Sequence, residues 1–310
     1  MNESVAILGG GSFGWGLADA AARAGREVIL WSRNPQREGT ERIRVTQALA
    51  DAADASLVFF AIPSPFVADV ASELGARLDG SHFLVHTSRG VVDDRTLTQV
   101  LRATTPCRRI GALAGPIHAR DLTQGAPGAG IIGTRFPEVS EAVRDVFSRQ
   151  RLHVYSTDDV HGVELASTVV GLLSIVVGFG LETGLRIGTL AMIATRGMTE
   201  AARIGAALGA RPETFHGLAG AGDLLAVFGG DGRPELEVGR RLAAGVPVEE
   251  VGKQAGAYIE GIHGARWLSH FIARTHTDAP LLQLVADVFN GERGVARALA
   301  ELMSREVDSE

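Results

Sequence analysis

A glycine run set directly behind a short apolar strand constrains this chain more than any other feature. Val5-Ala6-Ile7-Leu8 reads as a buried strand, and Gly9-Gly10-Gly11-Ser12-Phe13-Gly14 follows at once. A helical pattern then runs from about Phe13 to Ala24, Gly25 ends it, and Val28-Ile29-Leu30-Trp31 forms a second strand. Alone, G-x-G-x-x-G is a weak pattern, but between a strand and a helix it has a mechanical meaning. Gly9 permits a tight turn, Gly11 lets backbone N–H groups approach a pyrophosphate, and Gly14 allows the helix to pack closely on the strand. The helix N-terminus at Ser12 and Phe13 adds partial positive charge. The pattern predicts a dinucleotide site built on Gly9, Gly11, Ser12, Phe13 and Gly14. A glycine turn with no ligand is the less favoured alternative.

The end of the second strand selects the dinucleotide. An NAD site usually places Asp or Glu there to accept from the ribose 2′-OH. This chain has Trp31-Ser32-Arg33-Asn34, with Glu27 at the wrong end of the strand. Arg33 could pair with a 2′-phosphate, which favours NADP over NAD; the bland reading is a solvated arginine.

Further along, Leu57 to Ala61, His82 to His86, Ile110 to Ala112, Gly130 to Gly133 and Leu152 to Tyr155 read as strands, with a helix over Phe66 to Leu74. Apolar strands separated by helices predict an α/β fold, a parallel sheet covered on both faces. After Asp158 only helical periodicity remains, over Val160–Phe179, Leu190–Leu208, Pro234–Ala244, Val248–Gln254, Gly261–Arg274 and Pro280–Phe289. Gly205, Gly209, Gly245 and Gly291 sit where helices would stop. The expected boundary is near Thr157, giving 1–157 and an all-helical 158–310. At 310 residues, two ordinary domains or one large one are expected.

Composition excludes several function classes. The net charge of -6, without any block of like charge, disfavours a nucleic-acid surface. The single cysteine, Cys107, excludes an intrachain disulfide and a Cys-based zinc cage, and no metal-spaced cluster stands out. Met-Asn-Glu-Ser lacks a basic leader, and the apolar run Ala166–Gly180 is shorter than a bilayer span, so a cytoplasmic protein with a buried helix is expected, without a membrane partner. Lys253 is the only lysine among 30 basic residues. No mechanism can draw on a lysine elsewhere.

The chain resembles the NAD(P)-dependent glycerol-3-phosphate dehydrogenase family from Val5 to about Gly264. The likeness is carried by the glycine run, Leu30-Trp31-Ser32-Arg33, Ala61-Ile62-Pro63-Ser64, Thr87-Ser88-Arg89-Gly90, Ala114-Gly115-Pro116, Gly162-Val163-Glu164-Leu165 and Thr195-Arg196-Gly197. Gly217-Leu218-Ala219-Gly220-Ala221-Gly222-Asp223-Leu224 and Ile259-Glu260-Gly261-Ile262 complete it. The resemblance implies a Rossmann-like dinucleotide-binding domain, an all-helical C-terminal domain, a small-molecule substrate in the cleft between them, and a homodimer. It also assigns Pro63, Arg89, Ala119 and Glu260 to the cofactor site.

The catalytic positions depart from the family. Its proton-donating lysine and the asparagine after it are Val170 and Gly171 here, and a valine has neither proton nor charge to offer. Its second lysine is Arg89, which keeps the charge but donates no proton usefully at neutral pH. The family's Gly-Asp-Asn-Ala is Arg186-Ile187-Gly188-Thr189, and the threonine after Asp223-Leu224 is Val227. Its basic phosphate grip is Gly232-Arg233-Pro234-Glu235-Leu236-Glu237, in which only Arg233 could stand in. Acidic residues there disfavour a phosphorylated substrate.

Arg89, Asp223 and His118 remain as candidate catalytic residues. Asp223 serves equally well as a helix N-cap, and His118, on the loop after Gly115-Pro116-Ile117, as a packing residue. Glu164 reads as an ordinary acid in the first turn of a helix, beside His161; His216 and Glu182 are weaker candidates. The first-ranked reading is an NAD(P)H-dependent reductase of a carbonyl or imine in a small, altered substrate. A catalytically silent cofactor-binding homologue comes next, then a weak glycerol-3-phosphate dehydrogenase.

Overall fold

The computed structural model describes residues 4–147, 151–229, 233–248, 250–251 and 260–304. Its first half carries strands β1 (Ser4–Leu8), β2 (Glu27–Trp31), β3 (Ile43–Thr46), β4 (Leu57–Phe60) and β5 (Phe83–His86). A small hairpin follows, β6 (Val91–Val92) with β7 (Arg95–Thr96), then β8 (Ile110–Ala114), β9 (Gly128–Thr134) and β10 (Leu152–Thr157). The main sheet runs β10-β9-β8-β5-β4-β1-β2-β3.

Alternate residues of each strand serve opposite faces. Val5 and Ile7 join one core with Leu17, Leu122 and Val143, whereas Ala6 and Leu8 join another with Val67, Leu74 and Val100. The first face is covered by helices α1 (Ser12–Arg23), α4 (Ala119–Gln124) and α5 (Pro137–Phe147). The second is covered by α2 (Val67–Gly75) and α3 (Leu97–Thr104).

The sheet is not wholly parallel. β8 and β9 pair antiparallel, with Gly111 opposite Thr134. The connection between them holds only the short α4, which packs on α1 where Gly16 faces Ala119. The six-residue α4 is too short to carry the chain back along the sheet face, and β9 runs back beside β8. Strand β3 and the β6–β7 hairpin also go beyond the sequence expectation. Their patterns are short, and Arg44 and Arg95 interrupt them with exposed charge.

Thr157 ends the last strand, and α6 (Val160–Glu182) begins the helices. Asp159 caps α6 by accepting the Gly162 N–H at 3.0 Å. By length and composition α6 could cross a membrane, but 89% of its most apolar window is buried inside the fold. Around it stand α7 (Ile187–Ala207), α8 (Pro212–His216), α9 (Asp223–Val227), α10 (Pro234–Ala243), α11 (Glu260–Thr275), α12 (Pro280–Phe289) and α13 (Val295–Ser304). Gly178 of α6 abuts the Leu236 backbone of α10 so closely that a side chain there would collide with it. Gly205 does not stop a helix. It lies inside α7, where its missing side chain leaves room for the Phe215 ring. Most of the helix expected over Val248–Gln254, together with Lys253, Gly232 and Ile259, lies outside the described residues.

Candidate functional site

The strand order reverses between β1 and β4, and a cleft of about 830 Å³ opens there at the carboxyl ends of the strands. Open α/β sheets gather ligands at such a switch point. Gly9, Gly11, Ser12, Phe13, Gly14, Arg33, Pro63, Arg89, His118, Ala119, Arg233 and Glu260 all line it.

At the glycine run the backbone is held from both sides. Gly9 has φ +128°, and a Cβ on it would strike the Ala61 carbonyl; a Cβ on Gly14 would strike the Gly9 carbonyl. Gly11, at the N-cap of α1, is the opposite case: no protein atom lies within 4 Å of where its Cβ would be. A side chain there would enter the space in front of the helix N-terminus, where unpaired N–H groups donate to anions. The cradle therefore fits a pyrophosphate. Arg33 is exposed at the cleft edge with its guanidinium 4.9 Å from the Phe66 ring centre. Pro63 starts the short turn Ser64–Phe66, and Ala119 is the first residue of α4.

Glu260 ties two loops of the sheet domain to α11. Its carboxylate accepts the Ser64 N–H at 2.6 Å and the Arg89 N–H at 2.7 Å. Burial pushes its pKa up to about 7, against the lowering effect of those two bonds and of Arg89.

The other end of the cleft is a chain of charges. Asp223 is fully buried (0% exposed) and lies between two guanidinium groups. Arg233 donates from Nη2 to Oδ1, and Arg89 Nη2 sits 3.0 Å from Oδ2. Glu235 Oε1 stands 3.9 Å from Arg89 Nε. Burial opposes the charge on Arg89, but Asp223, Glu235 and Glu260 outweigh it and hold the guanidinium above its ordinary pKa. His118 is half-buried at the N-cap of α4; burial and then Arg233 push its pKa below the usual value.

The sequence expectation for Asp223 as an N-cap is corrected: it opens α9, yet its carboxylate caps no N–H there and is engaged by two arginines. Arg233, expected at most as a stand-in, is 7% exposed and fixed on Asp223. Its signal lay in its position at the family's basic stretch; Pro234 and Glu235 disguised it.

Glu164 is not a solvated first-turn acid. It is buried, and its Oε1 accepts from His86 Nε2 at 3.1 Å and the Thr98 N–H at 2.7 Å. Burial works to raise its pKa, but His86 and these donors hold it below the ordinary value. His216 and Glu182 are exposed and stand outside the cleft lining. Val170 is sealed in the helical core, and the Arg89 stem passes over Gly171, with Cδ 3.5 Å from where a Cβ would be.

Family models described as NAD-dependent glycerol-3-phosphate dehydrogenase N-terminus and C-terminus match residues 4–47 with 36–139, and residues 159–300. Glycerol-3-phosphate dehydrogenase (NAD(P)+) of Azotobacter vinelandii is 32% identical, covering 98% of this chain and 95% of the relative. The enzyme of that name from Synechococcus elongatus is 33% identical over 99% of this chain and 97% of its own. The crystal structure of glycerol-3-phosphate dehydrogenase from Coxiella burnetii superimposes with a TM-score of 0.90 at 25% identity, covering 97% of this chain and 99% of that one.

Proposed function

The chain belongs to the NAD-dependent glycerol-3-phosphate dehydrogenase family, and from that premise we propose that it is an NAD(P)H-dependent oxidoreductase whose small carbonyl or imine substrate is not the phosphate ester its relatives are named for. The observation that carries the reading is the Arg89–Asp223–Arg233 chain with Glu235 beside it, set against a Val170 that faces the core. The catalytically silent alternative is not favoured, because the relatives matched over nearly the whole chain are named as dehydrogenases.

In this reading the α1 N-terminus and Gly11 hold the pyrophosphate, while Arg33 meets a 2′-phosphate and prefers NADP. Pro63, Ala119 and Glu260 shape the cofactor's surroundings. When bound, the nicotinamide supplies a hydride. Arg89 offers fixed positive charge where negative charge grows on the substrate oxygen. A guanidinium held above its ordinary pKa is a poor proton donor, so the proton comes from solvent by way of His118. We assign residues 1–157 to the cofactor and 158–310 to the substrate and dimer contacts, and place the protein in the cytoplasm as a homodimer.

A fluorescence titration tests the cofactor half. NADPH should bind more tightly than NADH, and Arg33→Ala should narrow the gap; equal affinities unmoved by that change would remove the NADP preference. With dihydroxyacetone phosphate and NADPH, turnover should stay far below the roughly 10 per second of a typical enzyme. Val170→Lys with Gly171→Asn should not restore it. A general acid is worth a factor of about 10²–10⁴, but a lysine at this core position would meet apolar walls, and the position after it lies against the Arg89 stem. A large gain would mark a recently disabled glycerol-3-phosphate dehydrogenase instead.

A further inference from the structure

The charge chain at the end of the cleft has a specific imbalance of donors and acceptors. Asp223 Oδ1 accepts a hydrogen bond from Arg233 Nη2, whereas Oδ2 is ion-paired with Arg89 Nη2 at 3.0 Å without an aligned hydrogen bond. Arg89 Nη1, Arg233 Nε and Arg233 Nη1 are buried and have no hydrogen-bond acceptor among the described residues. Buried charged donors without partners are costly, and both arginines line the cleft. The arrangement is complete for holding two guanidinium groups in place and incomplete as a hydrogen-bonded unit. Three donors await oxygens that the described residues do not supply.

The charge count narrows what brings those oxygens. Asp223 is shared by Arg89 and Arg233, Glu235 stands beside Arg89, and the Glu260 carboxyl lies on the Arg89 backbone, so the cluster carries no surplus positive charge. A phosphate dianion would add two uncompensated charges in a partly desolvated place, beside the Glu235 carboxylate. An isolated neutral carbonyl adds no charge, but it brings one oxygen to three donors. A carboxylate next to a carbonyl brings three oxygens and a single charge, and charge-assisted bonds from guanidinium to carboxylate are the strong kind.

We propose that Arg89 and Arg233, positioned by Asp223, form the recognition site for a 2-oxo carboxylate, so that the substrate class of this oxidoreductase is the short 2-oxo acids. The proposal rests on the oxidoreductase reading above. In the reaction the carbonyl carbon gains a hydride and its oxygen gains a proton from solvent, giving a 2-hydroxy carboxylate, while NADPH is oxidised to NADP+. Arg233 sets specificity by its free donors, and Asp223 is a positioning residue.

The test pairs binding with turnover on the full chain loaded with NADPH. Oxamate, a 2-oxo carboxylate analogue that is not reduced, should bind the NADPH form in a calorimetric titration at least about tenfold more tightly than inorganic phosphate. With NADPH, glyoxylate, pyruvate or 2-oxobutyrate should be reduced faster than glycolaldehyde or dihydroxyacetone phosphate. Arg233→Leu should abolish oxamate binding. Because that variant strands a buried Asp223, Arg233→Lys is the control: it keeps the charge, has fewer donors in a different geometry, and should weaken oxamate roughly tenfold or more with NADPH affinity unchanged. Phosphate binding as tightly as oxamate, glycolaldehyde or dihydroxyacetone phosphate proving the faster substrate, or Arg233→Lys leaving oxamate affinity intact would each overturn the proposal alone. Failure to bind NADPH would overturn the underlying reading and the proposal together.

Discussion

Gly11 and Gly14 stand three residues apart and should respond to substitution in opposite ways. A Cβ on Gly14 strikes the Gly9 carbonyl, so Gly14→Ala should cost about 1–3 kcal/mol of stability, as overpacking does. Gly11 has an extended backbone any residue adopts and open space around it, so Gly11→Val should leave stability within about 0.5 kcal/mol of wild type. It should nevertheless eliminate NADPH binding. Urea denaturation and a cofactor titration on both variants check this, and normal NADPH affinity in Gly11→Val would remove the pyrophosphate from this turn. Both glycines were legible in the sequence because the motif's spacing encodes local sterics. Arg233 and Glu164 were not legible in the same way. Their partners, Asp223 and His86, are 10 and 78 residues away, and local pattern cannot report which distant group a buried charge meets.

At the scale of elements, one carboxylate on α11 clamps the loops after β4 and β5, and its titration has a readable sign. The unfolded chain releases the Glu260 proton near the ordinary glutamate value of 4.5, whereas the folded chain holds it to about 7. The folded state thus binds more protons across that window. This group's contribution to stability is greatest below about pH 4.5 and falls as pH rises to about 7. Glu260→Gln should flatten that fall. Thermal unfolding of both proteins at pH 5 and pH 7.5 is the measurement; parallel profiles would mean that Glu260 is ionised throughout. Helices α1, α2, α6, α7, α10, α11 and α12 could be read from periodicity, and strands β1, β2, β4 and β5 from unbroken apolar runs, because both strand faces are buried; α3, α4, α5, α8, α9 and α13 were not anticipated. The reversal of β9 could not, since strand direction depends on the path of the connection and not on the residues that pair.

At the scale of the whole molecule, the cleft is lined by the loops of the sheet and by Ser167 and Glu260 of the helical half, so a bound cofactor would touch both halves of the chain. NADPH at a hundred times its dissociation constant should add about 2.7 kcal/mol to stability by mass action. A differential scanning measurement should show one transition moving upward as a unit, and two transitions of which only the first moves would show that the halves unfold independently. Helix α6 has a further consequence, for synthesis. It leaves the ribosome before α7 and α10, which cover it, and about 60 residues separate its end from the end of α10. At the usual pace of translation that interval is roughly 3–12 s. During it a segment with the length and hydropathy of a membrane span is exposed on one side. Slowing translation just after Glu182 should therefore lower the yield of folded protein without changing a single contact in it, which a comparison of soluble yields from differently recoded messages would check.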